Sequence, residues 1–154
     1  FQISKGTIMN TTIEADGNQL NSFLRGERAA VETYDQAIDK INDSHVQGRL
    51  REVRLSHEQR ASLLRQRVLS LGGEPAEGSG LWGSFAQLVE GGAKLFGPAA
   101  AISALEEGED HGRDDYRRDL TELTSETRTF ISRTILPEQQ RTHDAIRALK
   151  NAAN

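Results

Sequence analysis

The chain has 154 residues, no cysteine and a formal charge of −4 at pH 7. That length suits one domain with a real core, and the missing cysteines exclude disulfides, thiol catalysis and thiolate metal sites and fit a reducing, cytoplasmic setting. Basic residues are interspersed with acids instead of forming a patch, which argues against nucleic acid as a partner, and no stretch reaches the roughly 18 to 20 apolar residues of a membrane span.

Residues 1–8 read as foreign to the fold. Phe1-Gln2 looks like the remnant of a protease-site tag, Ile3 to Ile8 like linker, and Met9 like a native start, so the expected domain is 9–154. Helix-forming Ala, Leu, Glu, Arg and Gln dominate that domain. The first long helix is expected at about 18–41, with Leu20, Phe23, Leu24, Val31, Tyr34, Ile38 and Ile41 on one stripe. Asn42-Asp43-Ser44 then forms a short turn, with Asp43 or Ser44 as N-cap. The second helix runs to about Leu71, with Val46, Leu50, Val53, Ala61, Leu64, Val68 and Leu71 aligned. A turn so short implies an antiparallel helical hairpin.

Gly72-Gly73 stops the second helix and opens a loop over 71–83. This loop lacks the Gly-Lys-Ser/Thr ending of a phosphate loop. A short amphipathic helix follows, with Trp82, Phe85, Leu88, Val89, Leu95 and Phe96, and ends at Gly97-Pro98. It is expected to cover one side or end of the helices, and its surface around Trp82 offers a homo-oligomer contact. The third long helix is expected at about 99–123, with Ile102, Leu105, Tyr116, Leu120 and Leu123 inward. A turn falls within 121–129. The fourth helix carries Phe130, Ile131, Leu136, Ile146 and Leu149, and Pro137 should kink or split it. Two hairpins joined by one long crossover that holds a short helix make an all-α, four-helix architecture.

The informative residues interrupt the apolar stripes. Glu27, His57, Glu109 and His143 place one potential metal ligand on the buried face of each long helix, and a buried carboxylate is costly unless paired, protonated or metal-bound. The chain also repeats itself: Gly26-Glu27 precedes Tyr34 and Gly108-Glu109 precedes Tyr116 by the same seven-residue step, and a helix with one inward histidine follows each. An internal two-fold axis would produce that pattern. Tyr34 and Tyr116 read as core residues with one hydroxyl hydrogen bond each, whereas His45 and His111 read as surface residues.

This pattern resembles the carboxylate-bridged di-iron bundles of the ferritin and rubrerythrin superfamily. It is closer still to a bacterial family of ferritin-like proteins bearing a domain of unknown function. The stretches that carry the resemblance are LRGERAAVETYDQAI, the LGG and SGLWGSF crossover, and LEEGEDHGRDDY, and the likeness extends from Leu20 to Leu149. It implies a ferritin-like bundle in which Glu27 and Glu109 match the single-glutamate helices and His57 and His143 the histidines. The bridging glutamates of the superfamily stand three residues before each histidine, and Arg54 and Gln140 occupy those positions here. Arg54 cannot be deprotonated and Gln140 is a poor neutral ligand, so a di-iron centre is not expected.

A cation at Arg54 reaching toward Glu27 and Glu109 would do what iron does in the relatives. The expected result is a non-catalytic, structural or stress-related bundle with a buried network of Arg54, Gln140, Tyr34 and Tyr116 around the glutamates and histidines. The alternative is a metal-dependent redox or metal-handling protein that holds a single Fe, Mn or Zn ion through Glu27, His57, Glu109 and His143. A two-metal centre with Glu58 or Glu106 as substitutes is a third arrangement.

Overall fold

The first apolar stripe belongs to a helix longer than its pattern requires. In the computed structural model, which describes residues 5–80 and 82–153 (without the side chains of 5–11, 82–84 and 92–95), helix α1 spans Lys5–Lys40. It therefore begins well before the expected start at Asn18. Asp16, on this extension, is buried. Its carboxylate accepts hydrogen bonds from the backbone N–H of Thr124 at 3.1 Å and from the Thr124 hydroxyl.

Helix α2 spans Ser44–Ser70, and Asp43 caps it by accepting the Val46 N–H at 2.9 Å. Its other end is a Schellman closure: Gly73 N–H donates to Val68 O and Gly72 N–H to Leu69 O, both at 3.0 Å. Gly72 makes this possible with a φ of +81°, which a residue bearing Cβ adopts only at a cost. The crossover then lies along α1. Ala76 N–H donates to Asn21 Oδ1, Asn21 Nδ2 donates to Glu74 O, and Gly80 N–H donates to Arg25 O.

Helix α3, Trp82–Leu95, is the expected crossover helix, although the Trp82 side chain proposed as an oligomer contact lies outside the described residues. Gly97 at φ +85° precedes Pro98 at the first turn of α4, Pro98–Asp119, where the missing N–H of proline removes no helical bond. A 3₁₀ turn, Leu120–Glu122, ends α4 a few residues earlier than the expected helix end at Leu123. Thr124 then caps the short α5, Ser125–Phe130. Between α5 and α6, Leu136–Ala153, the chain widens into a π segment, Ile131–Ile135, where Leu136 N–H reaches Ile131 O. Pro137 follows at once. The wider turn accommodates a ring that would otherwise clash with the preceding turn, and this is the form the expected kink takes.

Most of the described residues are helical, none forms a strand, and none of their helices is long and apolar enough to cross a membrane. Helix α1 packs on α2 and α4, α6 packs on α4 and α2, and α3 lies against α1 and α4. Apolar side chains form two separate clusters inside. One gathers Ile38, Ile41, Leu50, Val53, Ile102 and Ile146 around Tyr34. The other gathers Leu20, Leu24, Leu64, Val68, Ile131 and Ile135 around Tyr116. Each fully buried leucine or isoleucine contributes about 1.5–3 kcal/mol to holding the helices together. The layer between the two clusters is polar.

Candidate functional site

Helices α1 and α4 each present a glutamate and, two turns on, a tyrosine to the interior. The tyrosines reach across. Tyr34 donates to Glu109 Oε1 at 2.6 Å, and Tyr116 donates to Glu27 Oε1 at 2.7 Å. The sequence repeat thus appears as a reciprocal exchange between α1 and α4. All four side chains are buried.

Helix α2 inserts His57 between the two carboxylates. Its Nδ1 lies 2.6 Å from Glu27 Oε2 and its Nε2 lies 2.7 Å from Glu109 Oε1, and the ring stacks on Tyr34 at 5.1 Å. Carboxylate oxygens on both ring nitrogens select the doubly protonated imidazolium, the form in which both nitrogens donate. One turn on, Arg60 enters the same layer at 1 % exposure. Its Nη1 donates to Gln139 Oε1, its Nη2 donates to Thr142 Oγ1 at 3.2 Å, and its Nε lies 3.5 Å from Glu27 Oε2. One contact opposes this protonation: Arg60 Nη2, itself a donor, lies 2.7 Å from His57 Nδ1, where Glu27 Oε2 at 2.6 Å holds the proton. Helix α6 closes the layer. Gln139 Nε2 and the Thr142 hydroxyl donate to Glu109 Oε2 at 3.0 and 2.9 Å.

Two carboxylates, one guanidinium and one imidazolium sum to zero charge, and every carboxylate oxygen accepts a hydrogen bond. Burial works against ionisation of Glu109, but His57, Arg60 and the Tyr34 hydroxyl outweigh it and bring its pKa down to about 2. Glu27 is lowered in the same way: burial opposes the shift, and Arg60 and His57 overcome it. For His57, burial and Arg60 push the pKa down, and the two glutamates push it up further, so it ends above the ordinary imidazole value. Burial, then the glutamate each one touches, raises both tyrosines well above an ordinary phenol. They serve as fixed donors.

Of the residues expected at the site, Glu27, His57, Glu109, Tyr34 and Tyr116 come together. Arg54 and Gln140 do not. Arg54 is part-exposed and pairs with Asp35 of α1 and Glu58, while Gln140, also part-exposed, donates to Asp144. The cation and amide of the network are Arg60 and Gln139 instead. The reason is helical register. At about 100° per residue, Arg60 lies about 20° beyond the Val53 edge of the arc of Leu50, Val53, Leu64 and Val68, on the side of the buried Ser56, whereas Arg54 lies about 40° beyond the opposite edge. Gln139 likewise lies in line with Ile135 and Ile146, and Gln140 is turned away from them. Arg60 and Gln139 lie closer to the apolar stripes than Arg54 and Gln140, the residues that the Glu-x-x-His spacing singles out.

His143 is buried but belongs to a different contact. Its Nε2 lies 2.6 Å from Asp110 Oδ1, outside the layer of Glu27, His57 and Glu109. His45 is exposed and His111 pairs with Asp115 at 3.2 Å. A cavity of about 210 Å³ between α1 and α4, next to Gly80 of the crossover, connects the surface with Glu27, Tyr116 and Gln139.

The family profile described as Domain of unknown function (DUF2383) matches residues 16–122, more than half of the chain. The chain belongs to the DUF2383 family. The matched segment carries Glu27, Tyr34, His57, Arg60, Glu109 and Tyr116, and α6 with Gln139, Thr142 and His143 lies beyond it. No curated protein and no solved structure matches the chain.

Proposed function

We propose that this DUF2383 chain is a ferritin-like four-helix bundle without catalytic activity. In this reading a charge-balanced layer of Glu27, His57, Arg60 and Glu109 stands where the superfamily resemblance implies a bridged di-iron centre. The observation that carries it is the engagement of both His57 ring nitrogens by carboxylates at 2.6 and 2.7 Å. A histidine that donates from both nitrogens has no lone pair for a metal. The residues also fit two irons poorly. The bridging positions hold Arg54 and Gln140, both pointing away, and the buried guanidinium of Arg60 lies between the carboxylates and α6.

Such a layer serves architecture. It fixes the order and register of four helices, because any slip leaves a buried charge unpaired at a cost of several kcal/mol. Ring-nitrogen NMR of His57 in the full chain tests the reading. Two protonated nitrogens at neutral pH, unchanged by added Fe²⁺, Mn²⁺ or Zn²⁺, are expected. An unprotonated nitrogen that shifts on metal addition contradicts it and supports the metal-handling alternative, with Glu27, His57 and Glu109 as ligands.

The proposed homo-oligomer contact at the crossover keeps one supporting observation. Leu88 of α3 and Phe96 just beyond it are 51 % and 77 % exposed. Phe96→Asp lowers the sedimentation coefficient if this surface joins copies of the chain, and leaves it unchanged otherwise.

A further inference from the structure

Metal-ligand chemistry persists at a second place. Glu106 and Asp110 stand one turn apart on α4, and His143 faces them from α6, with one ligand atom of each lying within 4.8 Å of the others. None of the three takes part in the inner layer. One Glu106 carboxylate oxygen is buried and accepts no hydrogen bond. Among the described residues its charge is offset by the Lys150 ammonium at 3.2 Å, outside hydrogen-bonding geometry. A buried carboxylate oxygen left in that state pays a desolvation cost that a directly bound cation removes.

We propose that Glu106, Asp110 and His143 form a rim site for one divalent transition-metal ion of the Zn²⁺ or Mn²⁺ type. Two carboxylates and one imidazole suit these ions, and three protein ligands leave a coordination position for water. The imidazole is set up for the role. Nε2 faces Asp110 at 2.6 Å, and Nδ1 lies 3.4 Å from Asp144 Oδ1, the carboxylate that Gln140 holds at 2.9 Å. A carboxylate behind the far ring nitrogen is the usual support of a metal-binding histidine, and an ion bound at Nε2 takes the place of the proton that Nε2 now shares with Asp110.

Two cations now share the site. Arg113 places Nη1 3.3 Å from His143 Nε2 and Nη2 3.3 Å from Asp110 Oδ1, and Lys150 meets Glu106. An incoming ion has to displace both. Each has somewhere to go: Arg113 already approaches Asp114 at 3.4 Å, and Lys150 is 38 % exposed. Asp110 must also draw back from His143, since ligands about 2.1 Å from one ion stand further apart than 2.6 Å. Its side chain is 43 % exposed and has room to rotate.

Calorimetric titration of the full chain with Zn²⁺ alone, and with Mn²⁺ alone, tests the site. One equivalent of Zn²⁺ is expected, weakened at least tenfold in Asp110→Asn and His143→Gln and unchanged in Glu27→Gln. Arg113→Ala, which removes a competing cation from the rim, should tighten binding several-fold. If the parent binds no ion at millimolar concentration, or if Asp110→Asn and Arg113→Ala both leave the affinity unchanged, the rim site is wrong and the inner-layer reading stands. Zinc uptake lost in Glu27→Gln alone overturns both.

Discussion

The two helical hairpins start from the same sequence plan and finish it differently. In the first, α2 sends its histidine to the centre and follows it with Arg60. In the second, α6 sends Gln139 and Thr142 to the centre and leaves His143 at the rim against Asp110. The contributions of α1 and α4 remain symmetric, each a glutamate held by the tyrosine of the other. The comparison teaches that chemistry on this scaffold depends on where the centre of an apolar stripe falls. A shift of one or two residues separates a buried ion partner from a surface side chain.

The largest effect should separate the two arginines of α2. Arg60→Met strands Glu27 and Glu109 and should lower stability by about 3–5 kcal/mol in urea unfolding. Arg54→Met breaks part-exposed pairs and should cost under about 1 kcal/mol. Equal losses would mean that Arg60 does not compensate the layer.

The pH dependence sharpens the same contrast. Glu109 is held at about 2 against its ordinary 4.5, so its contribution is present above pH 4.5 and disappears as pH falls toward 2. Such a shift amounts to about 3 kcal/mol. Glu27 acts in the same direction. His57 is raised above 6.5, so its contribution is complete below pH 6.5 and is lost as pH rises through its folded-state value. Unfolding followed from pH 2 to 10 should show both limbs, and His57→Gln should remove the alkaline one.

Smaller effects test the symmetry of α1 and α4. Tyr34→Phe and Tyr116→Phe each remove one buried hydrogen bond to a carboxylate and should each cost about 1.5–3 kcal/mol. Markedly unequal losses would show that the reciprocal exchange is not balanced. Gly26→Ala should give the smallest change, a gain of up to about 1 kcal/mol, because a methyl group there meets nothing within 4 Å. A loss in thermal melts would mean that helix α1 needs the space beside Glu27.

The four apolar stripes and the Gly-Glu…Tyr repeat made the helices, the crossover and five of the buried polar residues legible in the sequence. Arg60 and Gln139 were equally present in the periodicity, but spacing relative to the histidines pointed to Arg54 and Gln140. The extension of α1 was hidden for another reason. It is anchored by Asp16 against Thr124, a contact 108 residues apart in the chain that no local pattern announces. The π segment before Pro137 is similarly a product of packing, since the sequence marks only that the helix must yield there.

The central claim is that the inner layer carries its own counter-charge and does not depend on a metal. Urea unfolding of the His143→Gln chain, which lacks the proposed rim site, at pH 7 with and without a strong chelator, tests it most directly. The account predicts the same midpoint and the same slope in both conditions. A chelator-induced loss of several kcal/mol that Fe²⁺, Mn²⁺ or Zn²⁺ restores in His143→Gln, but not in His57→Gln, would contradict it.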